Sequence, residues 1–225
     1  MRTVVEHCRI LLRVWLPWAC CLLLSVVAGV AVAQASQESA EPPLVLFLGD
    51  SLTAGFGLSE SLAFPRHVSD ELARLDLPVK AVNAGVSGDT SAGGLARLDW
   101  LLSMGPQVVV VELGANDGLR GLDLEMTETN LREIIRRCLE QGAEVLLLGM
   151  RMPPNFGDYA TRFETLFGAL AEEFSVGLVP FLLDGVGGHA ELNLADGMHP
   201  NEEGHRLLAA NVVPALADLL RERGN

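Results

Sequence analysis

Ser51, Asp196 and His199 are the residues of this chain best suited to nucleophilic chemistry. Ser51 follows an apolar run, residues 45–48, and a Gly-Asp pair, so we expect it at the carboxyl end of a buried strand, where open α/β sheets bind ligands. A serine hydroxyl becomes a good nucleophile when an imidazole takes its proton and a carboxylate orients that imidazole. Asp196 and His199 are three positions apart across a glycine-containing turn, which can place carboxylate and ring side by side. Together the three residues predict acyl transfer from a serine nucleophile.

Both motifs also have a purely structural interpretation. A Gly-Asp-Ser turn is common where a strand ends, and Ser51 could simply cap a following helix. Asp196 and His199 could form a surface turn that leads into a helix, with Pro200 near its start. Taken one at a time, these motifs do not establish catalysis.

Donors for a negatively charged oxygen are found in the loops after other apolar runs. Acyl transfer needs such donors because negative charge develops on the substrate oxygen. Gly88 can bring its backbone N–H close to a substrate because it has no Cβ, Asn116 offers a side-chain amide, and the N–H of Ser51 is already local. Glycines at strand ends are often only turn residues, and Asn116 could form an Asx turn. The coincidence of all these groups at one edge of one sheet favours the catalytic interpretation.

The elements that position these residues are apolar runs that alternate with helical periodicity. We predict strands over residues 45–48, 79–82, 108–113, 145–148 and 178–181, and helices over residues 64–75, 95–102, 129–141, 159–174 and about 202–220. Asn201 can cap the last helix, and Pro214 is expected to kink it. This alternation predicts an α/β protein, a flavodoxin-like three-layer α/β/α sandwich with a five-stranded parallel sheet.

The first 33 residues are predicted to be a secretory signal peptide. Three arginines precede an apolar run over residues 14–32, and small residues up to Ala33 supply a cleavage site. The run is nearly long enough to span a bilayer, so an uncleaved anchor is the alternative. Residues 34–43 are interpreted as a flexible lead-in and residues 44–225 as the catalytic domain. We therefore expect a periplasmic or secreted protein without stable membrane insertion.

The mature chain would be strongly acidic. Loss of three arginines and one glutamate with the signal peptide changes the formal net charge from −13 to −15. Such a surface repels phosphates, so we expect no nucleic-acid partner. Cys138 is the one cysteine that remains, and we expect it to be buried. The chain lacks a tight set of metal-ligand residues, so neither a metal nor another cofactor is expected.

Four sequence blocks resemble those of the SGNH, or GDSL, hydrolases. They are Gly49-Asp50-Ser51-Leu52, Ser87-Gly88-Asp89-Thr90, Gly114-Ala115-Asn116-Asp117 and Asp196-x-x-His199. Within the family, residues 87–91 and 111–121 are most similar to bacterial periplasmic esterases that act as acyl-CoA thioesterase, lysophospholipase and arylesterase. The resemblance implies Ser51 as nucleophile, His199 as general base and then acid, and Asp196 as its orienting partner. It also implies an oxyanion hole formed by Gly88, Asn116 and the Ser51 N–H.

The resemblance further places the loop over residues 150–155 at the acyl site. Met150, Met152, Pro153 and Asn155 would then line the substrate. Met198, beside His199, could line the same apolar groove, or the three methionines could simply fill the core.

Three functions remain open from the sequence. The first is a secreted serine esterase and thioesterase, a monomer that acts through an acyl-enzyme on fatty acyl thioesters, lysophospholipids or aryl esters. The second is a carbohydrate deacetylase with the same site, which a chain-length profile would distinguish. The third is a non-catalytic flavodoxin-like protein that binds a flavin or phosphate at the Gly-Asp-Ser loop.

Overall fold

A five-stranded, fully parallel sheet forms the centre of the computed structural model, which describes residues 41–223. Its strands are β1 (Leu44–Gly49), β2 (Lys80–Gly85), β3 (Val108–Glu112), β4 (Glu144–Leu148) and β5 (Gly177–Val179). They are ordered β2-β1-β3-β4-β5, the flavodoxin-like doubly wound order. Strands β1, β3 and β4 are buried almost throughout, which explains why each is a continuous apolar run. The predicted fold class is confirmed.

Seven α-helices flank this sheet within residues 41–223. They are α1 (Ser51–Ala54), α2 (Phe64–Arg74), α3 (Ser91–Leu102), α4 (Ala115–Leu119), α5 (Leu124–Glu140), α6 (Asp158–Phe174) and α7 (Glu202–Arg223). Helix α2 packs against α7, while α5 contacts both α3 and α6. These two groups are the outer layers of the three-layer sandwich.

The helix ends differ from the predicted ones where side chains act as caps. Helix α3 begins four residues earlier than predicted because the Thr90 side chain accepts the Gly93 N–H. At α7 the predicted cap is confirmed: Asn201 Oδ1 accepts the N–H groups of Glu203 and Gly204, each at 3.1 Å. Helix α7 continues through Pro214. The short helices α1 and α4 were not predicted, and they carry Ser51 and Asn116.

The predicted signal peptide and most of the lead-in lie outside the described residues. Within residues 41–223, no helix combines the length and the apolar character needed to cross a membrane. Cys138 is buried on α5, as predicted, and burial raises the pKa of its thiol to about 12.

Candidate active site

Ser51, His199 and Asp196 form one hydrogen-bonded row at the carboxyl edge of the sheet. His199 Nε2 lies 3.0 Å from Ser51 Oγ, and His199 Nδ1 lies 2.7 Å from Asp196 Oδ2. These are the distances over which a base can accept the serine proton while a carboxylate holds the other ring nitrogen. The structure thus brings together three residues that the sequence separates by up to 148 positions.

The Asp196 loop is shaped so that one carboxylate serves both backbone and ring. Asp196 Oδ1 accepts the N–H groups of Met198 and His199 at 2.9 and 3.0 Å, and Gly197 turns the chain with a φ of 68°. The His199 N–H, then the His199 ring and the Met198 N–H, lower the pKa of Asp196 to about 2. Asp196 therefore stays ionised beside the imidazole through the neutral range.

Ser51 opens helix α1 directly after the turn that ends β1. Asp50 caps this helix by accepting the Leu52 N–H at 3.0 Å, and Gly55 ends it in the left-handed conformation. Gly49 must be a glycine, because a Cβ there would collide with Thr53 Oγ1 and lie 2.6 Å from Glu112 Oε2. The turn is therefore packed tightly against β3.

Three residues at the cavity carry hydrogen-bond donors that are free to bind a ligand oxygen. Within residues 41–223, the backbone N–H groups of Ser51 and Gly88 donate to no acceptor. Gly88 has a φ of 85°, a conformation that favours glycine. Asn116 uses one amide hydrogen on Asp50 Oδ2, at 2.9 Å, which leaves the second available. All three residues border the same cavity.

Arg97 ties the nucleophile turn to the Gly88 loop. Its Nη2 donates to the Gly49 carbonyl at 3.0 Å, its Nη1 to the Ala84 carbonyl at 2.6 Å, and its Nε to Asp89 Oδ2 at 2.7 Å. Arg97 therefore connects the ends of β1 and β2 with the residue after Gly88. This clamp was not predicted, since its contacts join residues up to 48 positions apart.

Asp50 and Asp117 hold the loops beside the site through hydrogen bonds. Asp50 contacts Leu52 and Asn116 as described above. Asp117, almost fully buried, accepts the Ser91 N–H at 2.8 Å and the Ser91 hydroxyl at 2.6 Å. The loop after β3 is thereby fastened to the start of α3.

A cavity of about 570 Å³ opens beside Ser51. Of the predicted substrate-lining residues, Met150, Met152, Pro153 and Met198 border it, and the first two are also largely buried. Asn155 does not border it. It lies exposed in the 3-10 turn Pro154–Phe156, where the chain has already left the cavity.

Several cavity residues were missed by the sequence interpretation. Phe56, Leu119 and Leu183 border the cavity, and the Phe56 ring centroid lies 4.3 Å from that of His199. An aromatic residue between Gly55 and Gly57, directly after the Ser51 turn, was the one available signal. Within residues 41–223, no group of three or more His, Cys, Asp or Glu could hold a metal ion.

Comparisons with known proteins identify the family to which this chain belongs. The model of the GDSL-like Lipase/Acylhydrolase family matches residues 47–207. Esterase TesA of Pseudomonas aeruginosa is 43% identical over 201 residues, 88% of this chain and 98% of that protein. Thioesterase 1/protease 1/lysophospholipase L1 of Escherichia coli K12 is 41% identical over 185 residues, 81% of this chain and 88% of that protein. A crystal structure of TesA, at 43% identity, covers 78% of this chain and 99% of its own with a TM-score of 0.76. The chain therefore belongs to the GDSL-like lipase/acylhydrolase family, as its four sequence blocks predicted.

Proposed function

We propose that this protein hydrolyses acyl esters through an acyl-enzyme on Ser51. The observation that carries the proposal is the unbroken row of contacts from Asp196 through His199 to Ser51 at the mouth of the cavity. At the coarser level of a carboxylic ester hydrolase, the prediction is confirmed by the family and its named members.

In the first half of the proposed reaction, Ser51 Oγ attacks the carbonyl carbon of the ester while His199 Nε2 takes the hydroxyl proton. The ionised Asp196 stabilises the imidazolium that results. The tetrahedral intermediate then collapses, and its carbon–oxygen or carbon–sulfur bond breaks as His199 returns the proton to the leaving alcohol or thiol. The acyl group remains on Ser51 as an ester.

In the second half, water replaces the leaving group. His199 takes a proton from this water as its oxygen attacks the acyl-enzyme, and returns a proton to Ser51 Oγ as the carboxylic acid leaves. In both halves the negative oxygen would be held by the Ser51 and Gly88 N–H groups and the Asn116 amide. Each such donor is worth about 10²–10³ in kcat in a preorganised site.

The cavity supports substrates with an apolar acyl group. Its border includes Met150, Met152, Leu119 and Phe56, which offer no charge to a bound chain. We infer that fatty acyl thioesters, lysophospholipids and aryl esters are the substrate classes, and that the protein acts in the periplasm or outside the cell after removal of residues 1–33.

Hydrolysis of p-nitrophenyl esters of short, medium and long acyl chains tests the proposal. The full-length chain is expressed and purified beside Ser51→Ala and, as a control, Ser103→Ala, an exposed serine remote from the cavity. We expect turnover by the wild type and the control, and loss of about 10⁴-fold or more in kcat for Ser51→Ala. Absence of turnover by the wild type on every ester, or equal turnover by Ser51→Ala, would refute the proposal. A strict preference for acetyl esters would favour a deacetylase.

A further inference from the structure

Glu112 follows four consecutive valines in β3 and is the only carboxylic acid in that strand. It is the last residue of that strand, it pairs in register with Gly49 of β1, and its side chain is 0% exposed. Burial of a carboxyl group costs free energy unless its oxygens find partners. An apolar residue at this position would continue the strand pattern at a lower cost in free energy. The presence of a carboxyl group therefore needs an explanation, which its contacts can give.

Those contacts lie on both sides of Ser51. Glu112 Oε2 accepts the Asp50 N–H at 3.1 Å and the Thr53 hydroxyl at 2.8 Å. Asp50 directly precedes Ser51, and Thr53 is itself fully buried one half-turn further along α1. The absence of a Cβ at Gly49 leaves the space into which both the carboxyl oxygen and the Thr53 hydroxyl fit.

A second set of contacts extends this support to the oxyanion donors. Asp50 is 1% exposed, and its Oδ2 accepts the Asn116 amide while its Oδ1 accepts the Leu52 N–H. A shift of the Asp50 backbone would therefore move both Ser51 and the Asn116 side chain. One carboxyl group beneath the turn thus connects to the nucleophile and to an oxyanion donor.

The charge state of Glu112 follows from its surroundings. Its Oε1 is buried and has no hydrogen-bond partner within residues 41–223. Burial, and next the negative charge of Asp50, raise the pKa of Glu112 well above its ordinary value, while the contacts with Thr53 and the Asp50 N–H lower it by less. Burial raises the pKa of Asp50 as well, but the Leu52 N–H and the Asn116 amide favour its ionised form. Burial therefore works against a negative charge on Glu112, while hydrogen bonds from the Leu52 N–H and the Asn116 amide support one on Asp50.

We propose that Glu112 is a positioning residue that holds the turn on both sides of Ser51, through the Asp50 N–H and the Thr53 hydroxyl, and through Asp50 also orients the amide of Asn116. This role rests on the proposed function of Ser51 and extends it. Glu112 contacts no substrate, because it lies beneath the turn and does not border the cavity.

Two substitutions of similar volume separate this role from others. Glu112→Gln keeps one carbonyl oxygen for both donors, whereas Glu112→Met removes the acceptor and leaves both donors buried without a partner. The assay is kcat and KM for p-nitrophenyl butyrate across the pH range, on full-length protein, beside the wild type. For Glu112→Met we expect a fall of about 100-fold in kcat and a KM within about threefold, the effect of a misplaced reacting group. For Glu112→Gln we expect kcat within about threefold of the wild type and the same pH profile.

A second pair keeps the test decisive if Glu112→Met does not fold. Thr53→Val removes one of the two donors without changing the volume, and Thr53→Ser retains it. We expect kcat to fall by about tenfold in Thr53→Val and by about twofold or less in Thr53→Ser, with KM little changed, as for the loss of one buried hydrogen bond.

Each outcome of these experiments either supports or overturns the positioning role of Glu112. Unchanged kcat in both Glu112→Met and Thr53→Val, a loss confined to KM, or a Glu112→Gln variant as impaired as Glu112→Met would overturn the positioning role. Active wild type with the expected order of variants supports it. A wild type that hydrolyses no ester is a separate result: it refutes the proposed function itself, and the role of Glu112 with it.

Discussion

The stability of this protein in acid is expected to depend on His205. This histidine lies on α7 against the start of α2, is 1% exposed, and accepts the Phe64 N–H on its Nδ1 at 3.2 Å. Burial above all, and then the nearby His67 and His199, lower the pKa of His205 to about 4, from an ordinary value of 6.5. The native protein therefore holds a neutral imidazole at pH values where the unfolded chain holds a charged one.

The direction and size of the effect follow from that difference. Below pH 6.5 the unfolded state binds a proton that the native state does not, so the free energy of unfolding falls as the pH falls. The contribution is complete above the unfolded pKa and is lost by the time the pH passes the folded pKa of about 4. A gap of about 2.5 units, at 1.36 kcal/mol per unit, amounts to about 3 kcal/mol.

Urea unfolding at about pH 7.5 and about pH 4 measures this loss. His205→Asn is the informative variant, because its amide oxygen can accept the Phe64 N–H but the side chain does not titrate. Between the two pH values the wild type should lose about 3 kcal/mol more stability than the variant. His189→Asn, at an exposed histidine, is the matched control and should behave as the wild type. Parallel losses in wild type and His205→Asn would refute the reasoning.

Two further predictions concern the catalytic loops. Asn116→Ala removes an oxyanion donor and the partner of Asp50 Oδ2, so kcat for p-nitrophenyl esters should fall by about 10²–10³ with little change in KM; a change in KM alone would contradict that role. Arg97→Met releases the Gly49 carbonyl and the Asp89 carboxylate, so kcat should fall by about tenfold, and Arg97→Lys should restore part of it. The measurement is steady-state kinetics of both Arg97 variants beside the wild type, with melting temperatures as a check on folding. An unchanged kcat in Arg97→Met would contradict this role of Arg97.

The sheet could be predicted because its strands are buried on both faces. Strand β3, Val108–Glu112, is entirely buried and therefore contains an unbroken apolar run. Strand β2 was predicted too short, at residues 79–82, because Asn83 and Gly85 carry no apolar signal. Their places are set by contacts: Asn83 Nδ2 donates to the Thr53 carbonyl at 2.9 Å, and Gly85 lies directly against the backbone of Ala54.

Three residues of the proposed site, Ser51, Gly88 and Asn116, could be predicted for a topological reason. In a parallel sheet all carboxyl ends lie at one edge, so residues that directly follow β1, β2 and β3 must be neighbours whatever their separation in sequence. No comparable topological rule predicts which residues border the cavity. Phe56, Leu119 and Leu183 come from three separate segments, and their convergence depends on loop paths that local sequence does not encode. Asn155, which was predicted to line the substrate, does not border the cavity and lies in the 3-10 turn Pro154–Phe156.

Arg97 and Glu112 both hold the turn that carries Ser51, and their side chains differ in charge. The proposed reaction gives a reason for this difference. Arg97 donates hydrogen bonds to two backbone carbonyls and pairs with the Asp89 carboxylate. A cation at this place is compatible with an oxyanion nearby. On the inner side, a second buried anion beside Asp50 would raise the energy of the oxyanion that forms at Ser51. Burial and the negative charge of Asp50 raise the pKa of Glu112, which works against such a second anion. Asp196, which stays ionised in the proposed reaction to stabilise the imidazolium, lies on an exposed loop, where solvent and backbone N–H groups support its charge. The pKa values of the two acids are thus shifted in opposite directions, upward by burial for Glu112 and downward by hydrogen bonds for Asp196.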